Sequence, residues 1–241
     1  MLMVPNTTPP CILLVDDTPD NLMLMQLFLQ DGGYRVETAV NGREAVERFA
    51  VGPCDLIFMD LEMPVMDGYD ATRAIRNMER RRQSPPVPIL ALTAHSLDEH
   101  RLRCQEAGCT DFLVKPVRKA AILQALSRFL GQDGDRASFA AVEQPSAAPD
   151  MERLRSLIPF FFATSVSVLE AARLAHKRGD METVRMEGHK LKGSARSYGF
   201  DGIGQAAMAL ERAGEAHDAA AAEAALKRAE ALVDAARRDW A

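Results

Sequence analysis

Residues 56–68 read Leu-Ile-Phe-Met-Asp-Leu-Glu-Met-Pro-Val-Met-Asp-Gly. Leu56–Met59 runs apolar without alternation, stops at Asp60, and gives way to a loop containing Pro64 and Gly68. A short, continuous apolar run bounded by turn residues predicts a strand buried on both faces. The pattern recurs outward from this stretch. Ile12–Val15 stops at Asp16-Asp17, Val87–Leu92 stops at Thr93, and Phe112–Val114 stops at Lys115-Pro116. Tyr34–Val40 is also strand-like. Helix-like segments lie between: Pro19–Gln30 carries Leu22, Met25, Leu27 and Phe28, and Asn41–Ala50 opens with a capping Asn41 followed by Glu44. Strands alternating with helices predict βαβ units and a doubly wound, five-stranded parallel sheet. Sites in such sheets form beyond the carboxyl ends of the strands. Asp16, Asp17, Asp60, Thr93 and Lys115 all fall at that edge.

Three carboxylates brought to one edge repel one another unless a cation sits among them. Mg²⁺ suits such a place, because it prefers oxygen and binds carboxylates together with a substrate phosphate. One of the aspartates can then act as a nucleophile and form an aspartyl phosphate. Asp60 is the candidate, since it ends the central apolar strand. Lys115 would set a point charge on a phosphoryl oxygen, and Thr93 would donate its hydroxyl. Glu62 and His95, two residues beyond Asp60 and Thr93, are expected to rim the pocket and tune the lifetime of the phosphate.

The Asp16-Asp17 pair, the run from Asp60 to Gly68, Ala91-Leu92-Thr93-Ala94 and Lys115-Pro116 together resemble the receiver domain of two-component response regulators, over about Cys11–Leu130. That resemblance implies a flavodoxin-like fold and Mg²⁺ bound by Asp17 and Asp60. It also implies that Asp16 acts partly through water, that Glu62 contributes its backbone carbonyl, and that Lys115-Pro116 is cis. Thr93 and Phe112 occupy the family's switch positions. The aromatic position often holds Tyr. Phe112 has no hydroxyl, so coupling there works through packing alone.

From Met151 onward strand signals stop. Helices are predicted at about Pro159–Arg178, Met181–Tyr198, Ile203–Ala216 and Ala219–Trp240, with short breaks at Gly179-Asp180, Gly199–Gly202 and His217-Asp218. Short connections predict an antiparallel bundle. At 100° per residue, Arg185, His189, Lys192 and Arg196 share a narrow stripe, with Met181, Val184, Gly188, Leu191, Ala195 and Tyr198 opposite. This places His189 pointing outward among cations, where the neutral imidazole is favoured and can accept a phosphoryl group while Lys192 neutralises its oxygens. Gly193, costly in mid-helix by about 1 kcal/mol, is expected to leave room for a partner. The string His189-Lys190-Leu191-Lys192-Gly193-Ser194 resembles the histidine-containing phosphotransfer (HPt) domain, a four-helix bundle, over about Met151–Ala241. The resemblance makes His189 the acceptor, with Lys192 and Gly193 as helpers; Arg185, Gly193 and Arg196 form the expected docking surface. Tyr198-Gly199-Phe200 is bulkier than the small residues often found there. His100, His176 and His217 read as ordinary surface or helix-end histidines.

The expected organisation is a receiver at residues 1–130, a linker at 131–150 and an HPt bundle at 151–241. Residues 1–130 carry 14 Lys+Arg against 17 Asp+Glu, and residues 151–241 carry 14 against 13. No basic segment supports non-specific nucleic-acid binding. The uncharged run Ser156–Leu169 is shorter than the ~20 residues a bilayer requires, so no membrane insertion is expected. Cys11, Cys54, Cys104 and Cys109 lack metal-ligand spacing and read as reduced thiols of a cytoplasmic protein. Nothing resembles a kinase ATP site, and no independent turnover is expected. These readings converge on a phosphorelay protein that takes phosphate on Asp60 and carries it on His189, between a separate sensor histidine kinase and a downstream response regulator. One rival is a regulator that sequesters a kinase or serves as a phosphate sink. Another is an Asp-dependent phosphatase, which would need a second Asp where Glu62 stands.

Overall fold

The structure, a computed structural model, describes residues 8–93, 98–131 and 151–240, and for 98–100 and 151–154 the backbone alone. His95 and residues 132–150 of the expected linker lie outside the described residues. The chain divides into two compact units, one carrying the sheet and the other the last four helices together with Thr18–Leu24.

The first part of the chain runs β1 (Cys11–Val15), α1 (Pro19–Leu29), β2 (Arg35–Ala39), α2 (Gly42–Val51), β3 (Leu56–Asp60), α3 (Gly68–Arg82), β4 (Ile89–Thr93), α4 (Asp98–Ala107), β5 (Asp111–Val114) and α5 (Lys119–Leu130). All strand pairs are parallel, in the order β2-β1-β3-β4-β5. This is the doubly wound arrangement whose strand order reverses beside β1 and β3. Every residue of β1, β3 and β4 is buried, as the unbroken apolar runs predict. β2, at the edge, is half-exposed along most of its length. On one face Leu13, Val15, Ile57, Met59 and Ile89 pack with Ala45 and Phe49 of α2 and Ala71 and Ile75 of α3. Each fully buried aliphatic side chain of this kind contributes about 1.5–3 kcal/mol. Alternate residues Ile12, Leu14, Phe58 and Leu90 point to the other face and are equally buried. Asn41 caps α2 by accepting from the Glu44 N–H at 2.9 Å, and Glu44 reaches back to the Val40 N–H at 3.0 Å.

The helical unit consists of α6 (Met151–Arg178), α7 (Met181–Ser197), α8 (Asp201–Glu215) and α9 (Ala219–Trp240). α6 begins before Pro159 rather than at it. An interior proline removes one helical hydrogen bond. Here Pro159 is exposed, while Ile158, Phe161 and Phe162 beside it are buried, and their packing carries the helix through the break. Residues 155–178 are long and apolar enough to cross a membrane by length and composition alone. Phe161, Phe162, Leu169 and Ala172 on that segment are buried core residues. The turns fall at Gly179 (φ 72), Gly199 (φ 81) and His217 (φ 54). Tyr198 and Phe200 find room at one end of the bundle by stacking on Phe161 at 5.0 and 4.9 Å between ring centroids. Arg173 ties α6 to α9 through Glu230 and Glu223, with its closest contact at 2.6 Å.

Candidate functional sites

The register of the sheet brings four strand ends to one edge. Asp60 pairs with Leu92 across β3 and β4, and Thr93 with Val114 across β4 and β5. Asp16 and Asp17 follow directly on β1, and carboxylate oxygens of Asp16, Asp17 and Asp60 lie within 4.8 Å of one another. Asp16, Asp60 and Thr93 are buried. Lys115 projects from the end of β5 into this cluster, its Nζ donating to Asp60 Oδ2 at 2.6 Å and to Asp16 Oδ2 at 2.9 Å. Burial alone would lower the pKa of this ammonium, but the charges of Asp16 and Asp60 outweigh it and raise it. Lys115 therefore stays cationic, and its single charge is shared between two of the three carboxylates. The Lys115-Pro116 bond is cis, and the Lys115 N–H donates to Thr93 O at 2.7 Å. All five polar residues expected at this edge are present there.

The loop after Asp60 is held close to its carboxylate. The Glu62 N–H approaches Asp60 Oδ1 at 3.4 Å, and the Gly68 N–H donates to Leu61 O at 3.0 Å. A β-carbon at Gly68 would collide with the Asp60 carbonyl oxygen, so α3 can start there only with glycine. Val65 closes a three-residue turn, with Met66 N–H donating to Pro64 O at 2.8 Å, and its φ of 71 is unusual for a β-branched residue. Phe112 is buried with Leu61, Tyr69, Ala91, Cys104, Ala107 and Cys109. The Phe112 ring thus sits in an apolar cluster, as the absence of a hydroxyl predicts.

The second centre lies on α7. Met181, Val184, Gly188, Leu191, Ala195 and Tyr198 are buried, as the helical wheel predicts. The opposite stripe departs from expectation, since His189 and Lys192 are buried and do not point outward. His189 is not flanked by cations alone: its Nδ1 lies 2.7 Å from Oε1 of Glu211 on α8. Lys192 Nζ donates to both oxygens of the same carboxylate, at 2.8 and 2.7 Å. Lys192 Nζ also lies 3.4 Å from His189 Nδ1, but the carboxylate is the closer partner and an ammonium has no lone pair to offer. In the neutral ring Nδ1 therefore donates its proton to Glu211, which leaves the lone pair on Nε2. Burial pushes the Glu211 carboxyl up, yet hydrogen bonds from His189 and Lys192 prevail and hold it at about 2. Arg185 is paired with Glu182 at 2.8 Å, and Arg196 donates to Met208 Sδ at 3.7 Å. A β-carbon at the half-buried Gly193 would meet Asn21 Nδ2 at 4.0 Å and nothing closer.

Glu211 is absent from the reading of the sequence because it lies 22 residues from His189 on another helix. A signal was nonetheless present. Gly204, Ala207, Glu211 and Gly214 recur at spacings of 3, 4 and 3, a stripe of small residues broken by one carboxylate.

The family model described as response regulator receiver domain matches residues 12–127, and that described as Hpt domain matches residues 146–239. The sensor histidine kinase GacS of Pseudomonas protegens is 31% identical over 220 residues, covering 84% of this chain and 24% of that protein. The chain thus spans about a quarter of the length of that relative. Among solved structures, the receiver domain of sensor histidine kinase PA1611 from Pseudomonas aeruginosa PAO1, with a magnesium ion coordinated in its active site cleft, is 41% identical. It covers 52% of this chain and 99% of its own, with a TM-score of 0.47. The complex of the Saccharomyces cerevisiae phosphotransfer protein Ypd1 with the receiver domain of Ssk1 is 32% identical over 50% of this chain and 88% of its own, with a TM-score of 0.49.

Proposed function

We propose, for a chain that joins a response regulator receiver domain at residues 12–127 to an Hpt domain at residues 146–239, that it is a phosphorelay protein with one phosphoacceptor in each. Asp60 accepts the phosphoryl group in the first and His189 carries it in the second. The partners are a separate sensor histidine kinase and a downstream response regulator. The observation that carries the reading is that each nucleophile has its counter-groups already in contact: Lys115 at 2.6 Å from Asp60, and Glu211 at 2.7 Å from His189.

At the receiver, an Asp60 carboxylate oxygen forms a bond to phosphorus as the phosphorus–nitrogen bond of a donor phosphohistidine breaks. Lys115 then has phosphoryl oxygens beside it in place of a bare carboxylate, and Thr93 at the next strand end supplies a hydroxyl donor. The hard oxygen donors of Asp16, Asp17 and Asp60 fit Mg²⁺, and the family resemblance adds the Glu62 backbone carbonyl. When bound there, the ion supplies further charge neutralisation for the phosphoryl oxygens. At the bundle, Nε2 of His189 attacks phosphorus while the acyl phosphate bond to a receiver aspartate breaks. The ring becomes cationic as it is phosphorylated, and the Glu211 carboxylate on Nδ1 stabilises that charge. Lys192 faces the oxygens that arrive. The four cysteines carry free thiols, in keeping with the cytoplasmic placement we propose.

A small acyl phosphate tests the first half of this reading. With Mg²⁺ it should label wild type and His189→Gln at one site, and chelation of Mg²⁺ or Asp60→Asn should abolish that label. Labelling that survives in Asp60→Asn would remove Asp60 from the reading.

A further inference from the structure

The seam between α7 and α8 is built without β-carbons at the two points that bracket His189 and Glu211. A β-carbon on Gly188 would sit 2.6 Å from the backbone N of Glu211, 2.9 Å from its Cα and 3.1 Å from the Ala207 carbonyl oxygen. A β-carbon on Gly214 would sit 2.6 Å from the backbone N of Arg185 and 2.7 Å from its Cα. Gly188 immediately precedes His189, and Arg185 lies one turn before it on α7. Gly214 lies one turn after Glu211 on α8. The contacts are reciprocal: each helix lays a glycine on the other's backbone, once at the carboxylate and once a turn from it.

We infer that Gly188 and Gly214 are positioning residues of the His189 centre, their missing side chains setting the distance at which Glu211 meets the imidazole. The inference rests on reading His189 as the phosphoacceptor. Three observations support it. The obstacle each β-carbon would meet is backbone, which cannot swing aside as the end of a flexible side chain can. Glycine is also the weaker choice locally, because alanine is the better helix former in a helix interior. Finally, among the glycines of α7 and α8 the close approaches lie along the seam. Gly202 on α8 has nothing within 4 Å of its would-be β-carbon, and Gly193 has nothing nearer than 4.0 Å. The His189–Glu211 bond at 2.7 Å has little slack. A separation of the helices by about 1 Å takes it past the ~3.5 Å limit of a useful hydrogen bond. Loss of that bond frees Nδ1 to lose its proton, and the proton can then move to Nε2, the nitrogen that must remain a nucleophile.

The test compares full-length wild type, Gly188→Ala, Gly214→Ala and the control Gly202→Ala, each with ¹⁵N-labelled histidine. Long-range ¹H–¹⁵N correlation reads which ring nitrogen of His189 carries the proton, independently of any transfer. Wild type and Gly202→Ala should show the proton on Nδ1. Gly188→Ala and Gly214→Ala should show a mixture of both tautomers and accept phosphate at His189 more slowly, by on the order of tenfold to a hundredfold, with helical circular dichroism retained. Glu211→Asp, which shortens the reach and leaves the seam alone, should give the same mixture. Wild-type tautomer and rate in both folded glycine variants would overturn the inference. So would loss of helical signal in both, which would make the seam a folding device, and so would a wild-type ring protonated on Nε2. A wild-type ring with its proton on Nδ1 that no donor ever labels would instead defeat the phosphoacceptor reading, while the tautomer comparison still decides the role of the seam.

Discussion

Lys115 and Asp60, 55 residues apart in the chain, meet at 2.6 Å, and the same ammonium touches Asp16 at 2.9 Å. One cation thus joins the ends of β1, β3 and β5 at one edge of the sheet. Its removal would take from two buried carboxylates the ammonium that both contact.

Lys115→Met should therefore destabilise the metal-free protein at neutral pH, by about 3 kcal/mol, as expected when one partner of a buried charged cluster is deleted. Added Mg²⁺ should return part of that loss, because the ion binds only the folded arrangement of carboxylates. Urea unfolding with and without chelator reads both effects. An unchanged midpoint in the chelated variant would mean that the carboxylates do not depend on Lys115.

The Glu211 carboxyl gives a pH dependence of definite sign. Its pKa in the folded chain is about 2, below the ~4.3 of an unfolded glutamate. Its contribution is therefore present above the unfolded value and is lost as pH falls from ~4.3 through ~2. After allowance for solvent screening it amounts to on the order of 2 kcal/mol. Glu211→Gln should flatten this part of the acid-denaturation profile of the helical unit. A profile that still falls as steeply in the glutamine variant would show that the carboxylate does not hold His189 and Lys192.

The receiver centre was legible in the sequence because each polar residue ends an apolar strand, and a parallel sheet sends all such ends to one edge. No side-chain contact had to be known to place Asp16, Asp60, Thr93 and Lys115 together. The buried face of α7 was legible for a similar reason, since one helix's periodicity defines its own faces. Glu211 was not, because a helical wheel reports which residues share a face and is silent on what the neighbouring helix brings to it. The early start of α6 was missed because Pro159 is a local stop signal, and the buried Ile158, Phe161 and Phe162 that override it act through tertiary packing.

Val65 stores backbone strain in the loop after the acceptor. A β-branched residue at φ 71 is disfavoured, and glycine is free of that penalty. Val65→Gly should raise stability by up to about 1 kcal/mol, the relief being partly offset by the greater entropy of the unfolded chain. The residue is 72% exposed, so little packing is lost. Thermal unfolding measures the change, and a clear drop in melting temperature would show that the turn is not strained.

Phosphotransfer with the label followed on each acceptor bears most directly on the account as a whole. Wild type, Asp60→Asn and His189→Gln should be presented in parallel with a labelled histidine kinase and with a labelled receiver, each in the presence of Mg²⁺. Two acceptors predict that Asp60→Asn takes no label from the kinase while His189 still accepts from the receiver. His189→Gln should show the reverse. If either single variant abolished labelling from both donors, or if neither reduced it, the chain would not hold two independent phosphoacceptors and the account would be contradicted.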